Sequence, residues 1–101
     1  MTYLANSFSL QMLQGDANLH VETCPAETIP VEAKSCVGHP DTAAILTEML
    51  NRKVEFNRES IRLDRGDVVY VAQVVGGRLP EGTTTLPEGV SIKFLRVTVE
   101  A

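Results

Sequence analysis

The chain has 101 residues, 44% hydrophobic and 22% charged, with thirteen acids against nine bases for a net charge of −4. That is one domain of sequence, long enough to own a core, and its ordinary composition argues against disorder. No apolar run approaches the ~20 residues of a membrane span, and no charged-then-apolar leader opens the chain, so a cytoplasmic protein is expected, in a host cytoplasm if the source is viral. The acidity argues against a general duplex-DNA binder, which is normally basic.

The elements in chain order predict a mixed architecture. Tyr3-Leu4-Ala5 reads as a strand entering the core. Phe8, Met12 and Leu13 recur at helical spacing behind Ser7 and Ser9, either of which can cap, and Gly15-Asp16 ends that turn. Leu19 to Glu22 alternates as a second strand. Cys24 to Pro30 holds two prolines and reads as loop, and Val31 to Val37 is ambiguous.

Gly38-His39-Pro40-Asp41-Thr42 is a helix start, with proline at the first helical position and an acid in the first turn. Ala43, Leu46, Met49 and Leu50 then form one apolar stripe that lays the helix on a sheet. Ile61 to Leu63 reads as a short strand and Arg65-Gly66-Asp67 as a turn. Val68 to Val75 is nearly continuous apolar and reads as a central strand buried on both faces, with helices or a partner on each side. Leu79 to Gly89 is irregular, and Val90 to Val99 alternates as the last strand. The expected class is α/β or α+β: residues 1–101 form one small domain, a mixed, mainly parallel sheet of about five strands flanked by helices.

Charge is unevenly spread. Residues 1–50 carry six acids and one base, Lys34, whereas all six arginines lie between Arg52 and Arg96. The planar guanidinium forks onto phosphate, so an acidic chain can still keep a local anion site; the alternative is a set of solvated strand ends. His20, Cys24, Cys36 and His39 lack a CxxC pair, so free thiols are expected in place of a zinc site.

Two segments carry possible chemistry. A helix start at Gly38 to Thr42 presents free N–H groups to an anion, with His39 beside it as a proton donor to a leaving oxygen; otherwise His39 is an N-cap-region residue. Gly76-Gly77-Arg78 follows a buried strand, where ligands of open α/β sheets sit, and Arg78 and Glu81 could clamp a phosphate and orient a hydroxyl; otherwise the segment is a hairpin-like loop with a surface pair. The glycines form neither a Walker nor a dinucleotide motif, which removes nucleoside triphosphates and NAD.

Together these pieces resemble a known family. Leu4 to Leu13, then Val37-Gly38-His39 with Thr42 and Leu46, Asn57-Arg58, Tyr70-Val71-Ala72-Gln73 and Arg78 to Gly82 follow in the order of the viral type III anti-CRISPR proteins and CRISPR-associated ring nucleases. The resemblance covers about half the chain. It implies a symmetric homodimer that cleaves the second messenger cyclic tetra-adenylate without metal or cofactor, switching off CRISPR effectors. By position it implies His39, Arg78 and Glu81 as catalytic residues. It implies Asn6, Ser9, Gln11, Gly38, Thr42, Arg58 and Gln73 as ligand-binding or supporting ones. Two departures stand out: no helix precedes the last strand, and Gly76-Gly77 is one residue longer than the family pattern. The rival readings are a binding module that sequesters the ring uncut and a small structural or regulatory protein with no nucleotide ligand.

Overall fold

The computed structural model describes residues 1–100. Five strands, β1 (Thr2–Ala5), β2 (Leu19–Thr23), β3 (Lys34–Cys36), β4 (Val68–Val75) and β5 (Ser91–Val99), form one sheet in the order β2-β5-β4-β1-β3. β1 pairs in parallel with β3 and β4, and β5 pairs antiparallel with β2 and β4. Parallel and antiparallel pairings are therefore equal in number, and the sheet is mixed without being mainly parallel. Among the described residues a single α-helix, α1 (Pro40–Leu50), completes the α+β domain.

The period-two alternation of the strands sorts the core into two layers. Leu4, Tyr70 and Ala72 join Val37, Ala43, Leu46, Val54 and Ile29 on the helix side, with Ile92 and Phe94 at its margin. Ala5, Val69, Val71, Val97 and Val99 face the other way, against Cys36, Ile61 and Leu63. Among the described residues no second α-helix covers that far side. Phe8, Met12 and Leu13 pack on it from a short 3-10 turn, Leu10–Met12, whose cap is Ser9: its Oγ accepts from the Gln11 amide. The expected strand at Ile61–Leu63 is instead extended coil, tied down by one bridge from Leu63 to Leu13. Its apolar side chains are buried, which explains the strand-like pattern. Both flanks of β4 are thus covered as the sequence requires, but one cover is irregular chain.

On α1 the stripe is shifted. Ala43 and Leu46 are buried as expected, together with Thr42 and Ile45, while Met49 is 44% exposed. Asn51 ends the helix at φ 53°, its N–H returning to the carbonyls of Glu48 and Thr47. The ambiguous stretch before the helix resolves into β3, and the Cys24–Pro30 loop contains one further 3-10 turn, Ala26–Thr28. Cys24 and Cys36 are both free and belong to opposite core layers.

The base of the 76–90 loop is a close approach. Gly76 has φ 91°, and a Cβ there would stand 2.1 Å from the Gly89 carbonyl oxygen. Gly76→Ala must therefore part the start of the loop from its end. It is expected to lower stability by about 1–3 kcal/mol, read as a fall in Tm, and to displace Arg78.

Candidate functional site

β1, β3 and β4 run parallel, so their C-terminal ends lie along one edge of the fold. Asn6 follows β1, Gly38 and His39 follow β3, and Gly76-Gly77-Arg78 follow β4. This is where open sheets with parallel strands collect ligands, because the chain leaves each strand there in loops and helix starts. The site's position is thus a consequence of topology.

Two adjoining hollows occupy this edge. One, of about 430 Å³, is lined by Asn6, His39, Thr42, Gln73, Gly77 and Arg78, among others. The second, of about 400 Å³, includes Asn6, Ser9, Gln11, Gly38, Arg58 and Arg62. Both fall within the ~300–1,000 Å³ of ordinary small-ligand sites. Asn6 lines both and marks their boundary: its Oδ1 accepts the Gly38 N–H at 3.1 Å, tying the end of β1 to the approach of α1.

His39 is the N-cap of α1. Its Nδ1 accepts the Thr42 N–H at 3.3 Å, and the Thr42 hydroxyl lies at the same distance from that nitrogen. A ring accepting at Nδ1 carries its proton on Nε2. The cap thus belongs to the neutral ring; proton donation needs the imidazolium, in which Nδ1 is itself a donor and the Thr42 hydroxyl, at the same distance, is the acceptor that replaces the amide.

The helix end itself offers less than the sequence suggested. Pro40 has no N–H, the Thr42 amide is held by His39, and the Ala43 amide returns to the His39 carbonyl. The preceding Gly38 amide is taken by Asn6. Within the first turn, among the described residues, the Asp41 amide alone is uncommitted. Nor is Gly38 crowded: a Cβ there would meet Arg58 at an ordinary 3.7 Å.

Arg58 is positioned by the segment that runs beside β3. Asn57 donates its backbone N–H to the Val37 carbonyl at 2.9 Å and its side-chain amide to Ser35 O at 2.8 Å. The Arg58 Nε then donates to the Gly38 carbonyl at 3.3 Å, leaving the rest of the guanidinium at the mouth of the second hollow. Arg58 and Arg78 therefore line neighbouring hollows, and His39 shares the one that Arg78 lines.

The other residues divide. Ser9, Gln11 and Gln73 are exposed and line the hollows. Glu81 lines neither; it sits on an exposed turn, Pro80 to Thr83, beyond Arg78. Of the remaining arginines, Arg52 is structural, donating to the carbonyls of Ile29 and Pro30, and Arg96 pairs with Glu22. Arg62 and Asp41 were not singled out from the sequence. Arg62 lies in irregular chain, where no periodicity reveals a shared face, and Asp41 reads as an ordinary first-turn acid. Among the described residues, no group of three or more His, Cys, Asp or Glu side chains is placed to hold a metal ion, and no helix is long and apolar enough to cross a membrane.

The profile of the STIV B116-like family matches residues 2–94. The chain belongs to that family. The same fold is seen in a solved structure, B116 of Sulfolobus turreted icosahedral virus. The two superpose with a TM-score of 0.79 at 19% identity, over 96% of this chain and 97% of that one. Identity that low carries the fold alone. No curated protein matches the chain. The B116-like fold therefore extends over nearly the whole chain, including the edge that holds both hollows.

Proposed function

We propose that this B116-like protein is a metal-independent ring nuclease that cuts cyclic tetra-adenylate into linear di-adenylates ending in a 2′,3′-cyclic phosphate. The observation that carries the reading is the meeting of His39 and Arg78 in one hollow at the C-terminal ends of three parallel strands, with Arg58 in the hollow beside it.

The reaction asks mainly for alignment. A ribose 2′-OH bent into line with its own 3′-phosphate gives its proton to solvent water and attacks the phosphorus; the new P–O2′ bond forms and the P–O5′ bond breaks. Holding the nucleophile in place supplies much of the barrier reduction. Arg78 offsets charge on the phosphate oxygens, and Arg58 holds a neighbouring phosphate. His39 Nε2–H gives its proton to the departing O5′. Thr42 suits both states of the ring: its N–H donates to a neutral Nδ1, and its hydroxyl can accept from Nδ1–H when the imidazole is protonated. Glu81 has no step in this arrangement.

A four-nucleotide ring needs more than one hollow. A two-fold dimer would present two copies of His39, Arg58 and Arg78 to a ligand of matching symmetry and make two cuts. The net charge of −4 is no obstacle, because a small anion meets only the local cup.

The terminus of the product tests the chemistry. Mass analysis is expected to find di-adenylate with a 2′,3′-cyclic phosphate; a 3′-phosphate formed at the first cut, with water as nucleophile, would contradict 2′-OH attack. A tight complex without turnover would select the sequestering reading. Thr42→Val keeps the capping amide and removes the hydroxyl. It is expected to slow single-turnover cleavage by about 5–10-fold, the worth of one hydrogen bond of about 1–1.5 kcal/mol, while Tm changes little.

A further inference from the structure

Asp41 poses a problem that the proposed chemistry does not answer. It places a carboxylate in the first turn of α1, two residues after His39, at the edge where an anionic ligand would sit. A fixed negative charge there opposes phosphate binding. First-turn acids ordinarily serve the helix dipole, but this one reaches across the sequence: Asp41 Oδ2 accepts the Gly82 N–H at 2.8 Å, forty-one residues away.

The partner is a built turn. The Thr83 N–H closes on the Pro80 carbonyl at 3.1 Å, and the Thr83 hydroxyl donates to the same oxygen. Gly82 takes φ 82°, the value of the third residue of a type II turn. The Gly82 amide therefore points out of a closed turn and into a carboxylate. Arg78 lies two residues before that turn and lines the hollow with His39. At its other end the same stretch leaves β4 through Gly76-Gly77, both at positive φ and packed against Gly89 and Val90. The Asp41–Gly82 bond joins the distal end of this stretch to the helix carrying His39.

We propose that Asp41 is a positioning residue: its carboxylate seats the Pro80–Thr83 turn on the start of α1 and so sets Arg78 opposite His39 for a shared phosphate. This rests on the ring-cleaving reading and adds to it a residue that never touches the ligand through its side chain. The charge is incidental to the role; the acceptor oxygen is what matters.

The test is single-turnover cleavage of radiolabelled cyclic tetra-adenylate, full-length protein in excess, by wild type, Asp41→Ala, Asp41→Asn, Arg78→Ala and the Asp41→Ala/Arg78→Ala double variant. Amide exchange at Gly82 is measured alongside. Asp41→Ala is expected to lose about 10–100-fold, the cost of misplacing a group by about an ångström, and to expose the Gly82 amide. Asp41→Asn keeps an oxygen acceptor and is expected to rescue both the rate and the protection. The double variant is expected to be no slower than Arg78→Ala, because Asp41 acts through Arg78. Wild-type cleavage by Asp41→Ala, an equal loss in Asp41→Asn, or additive losses in the double variant would each overturn the proposal. A wild-type protein that leaves the ring intact sinks the ring-cleaving reading instead. Gly82 exchange then still decides whether Asp41 seats the turn: equal exchange in wild type and Asp41→Ala would overturn that too.

Discussion

His39→Ala is expected to slow ring cleavage by about 10²–10⁴-fold, the usual worth of a positioned proton donor. The substitution also removes the helix cap, because His39 Nδ1 holds the Thr42 amide at 3.3 Å. Loss of a cap costs about 0.5–2 kcal/mol, so a weaker enzyme could merely be a less folded one. His39→Asn separates the two effects. Asparagine is among the best N-cap residues and can accept from the same amide, but it cannot deliver a proton to O5′. The expected result is a Tm near that of wild type with a rate as low as that of His39→Ala. Cleavage by His39→Asn at the wild-type rate would show that capping is all His39 does.

Leu46→Ala is expected to be the most damaging of the core truncations. Leu46 is 0% exposed and packs among Ala43, Val37, Val54 and Leu4, between α1 and the sheet. Removing a buried leucine side chain costs about 2–5 kcal/mol, transfer and cavity together. A domain of this size has only about 5–15 kcal/mol to lose. Thermal unfolding is therefore expected about 8–40 °C lower, since each kcal/mol moves Tm by about 4–8 °C in a domain of 60–100 residues. Met49, three positions on and 44% exposed, serves as the control: Met49→Ala is expected to change stability by less than about 0.5 kcal/mol. Equal losses from the two would mean that α1 does not pack as described. The effect reaches function because α1 carries His39 at its start. A helix that lifts from the sheet takes the site with it.

The contrast between these two residues shows what the sequence could and could not reveal. The continuous apolar, β-branched run of Val68–Val75 and the alternation of Val90–Val99 are both strong strand signals, and both strands formed within a residue of expectation. The helix start was legible because Gly38-His39-Pro40-Asp41-Thr42 combines a cap, a proline and a first-turn acid. The stripe on α1 was harder: Met49 and Ile45 are both apolar and sit on neighbouring arcs of one helix. Which arc meets the sheet is decided by the angle of packing, which periodicity does not contain. Ile61–Leu63 misled for a related reason. Burial of alternate residues in coil leaves the same trace as a strand, and only the missing ladder partners distinguish them. The mainly parallel expectation failed because β5 returns beside β4 as a hairpin, the alternative that the segment at Gly76-Gly77-Arg78 had left open.

The site divided in the same way. His39 and Arg78 were legible because each follows a strand at a motif, and the parallel run of β1, β3 and β4 brings those ends together. Asp41 was not, because its partner Gly82 is distant in sequence and supplies only a backbone amide. The fewer free amides at the helix start were also hidden, since they depend on Asn6 and His39 having already taken them. The arginines beyond residue 51 do not share one role. Arg52 and Arg96 hold loops and strands together, while Arg58, Arg62 and Arg78 face the hollows.

The central claim is tested most directly by following purified protein, in excess over cyclic tetra-adenylate and in the presence of EDTA, until the ring is consumed. The account predicts complete conversion to linear di-adenylate, with the rate falling by at least about 10²-fold in His39→Asn. A ring still intact after prolonged incubation, or one consumed only when a divalent metal is restored, would contradict it.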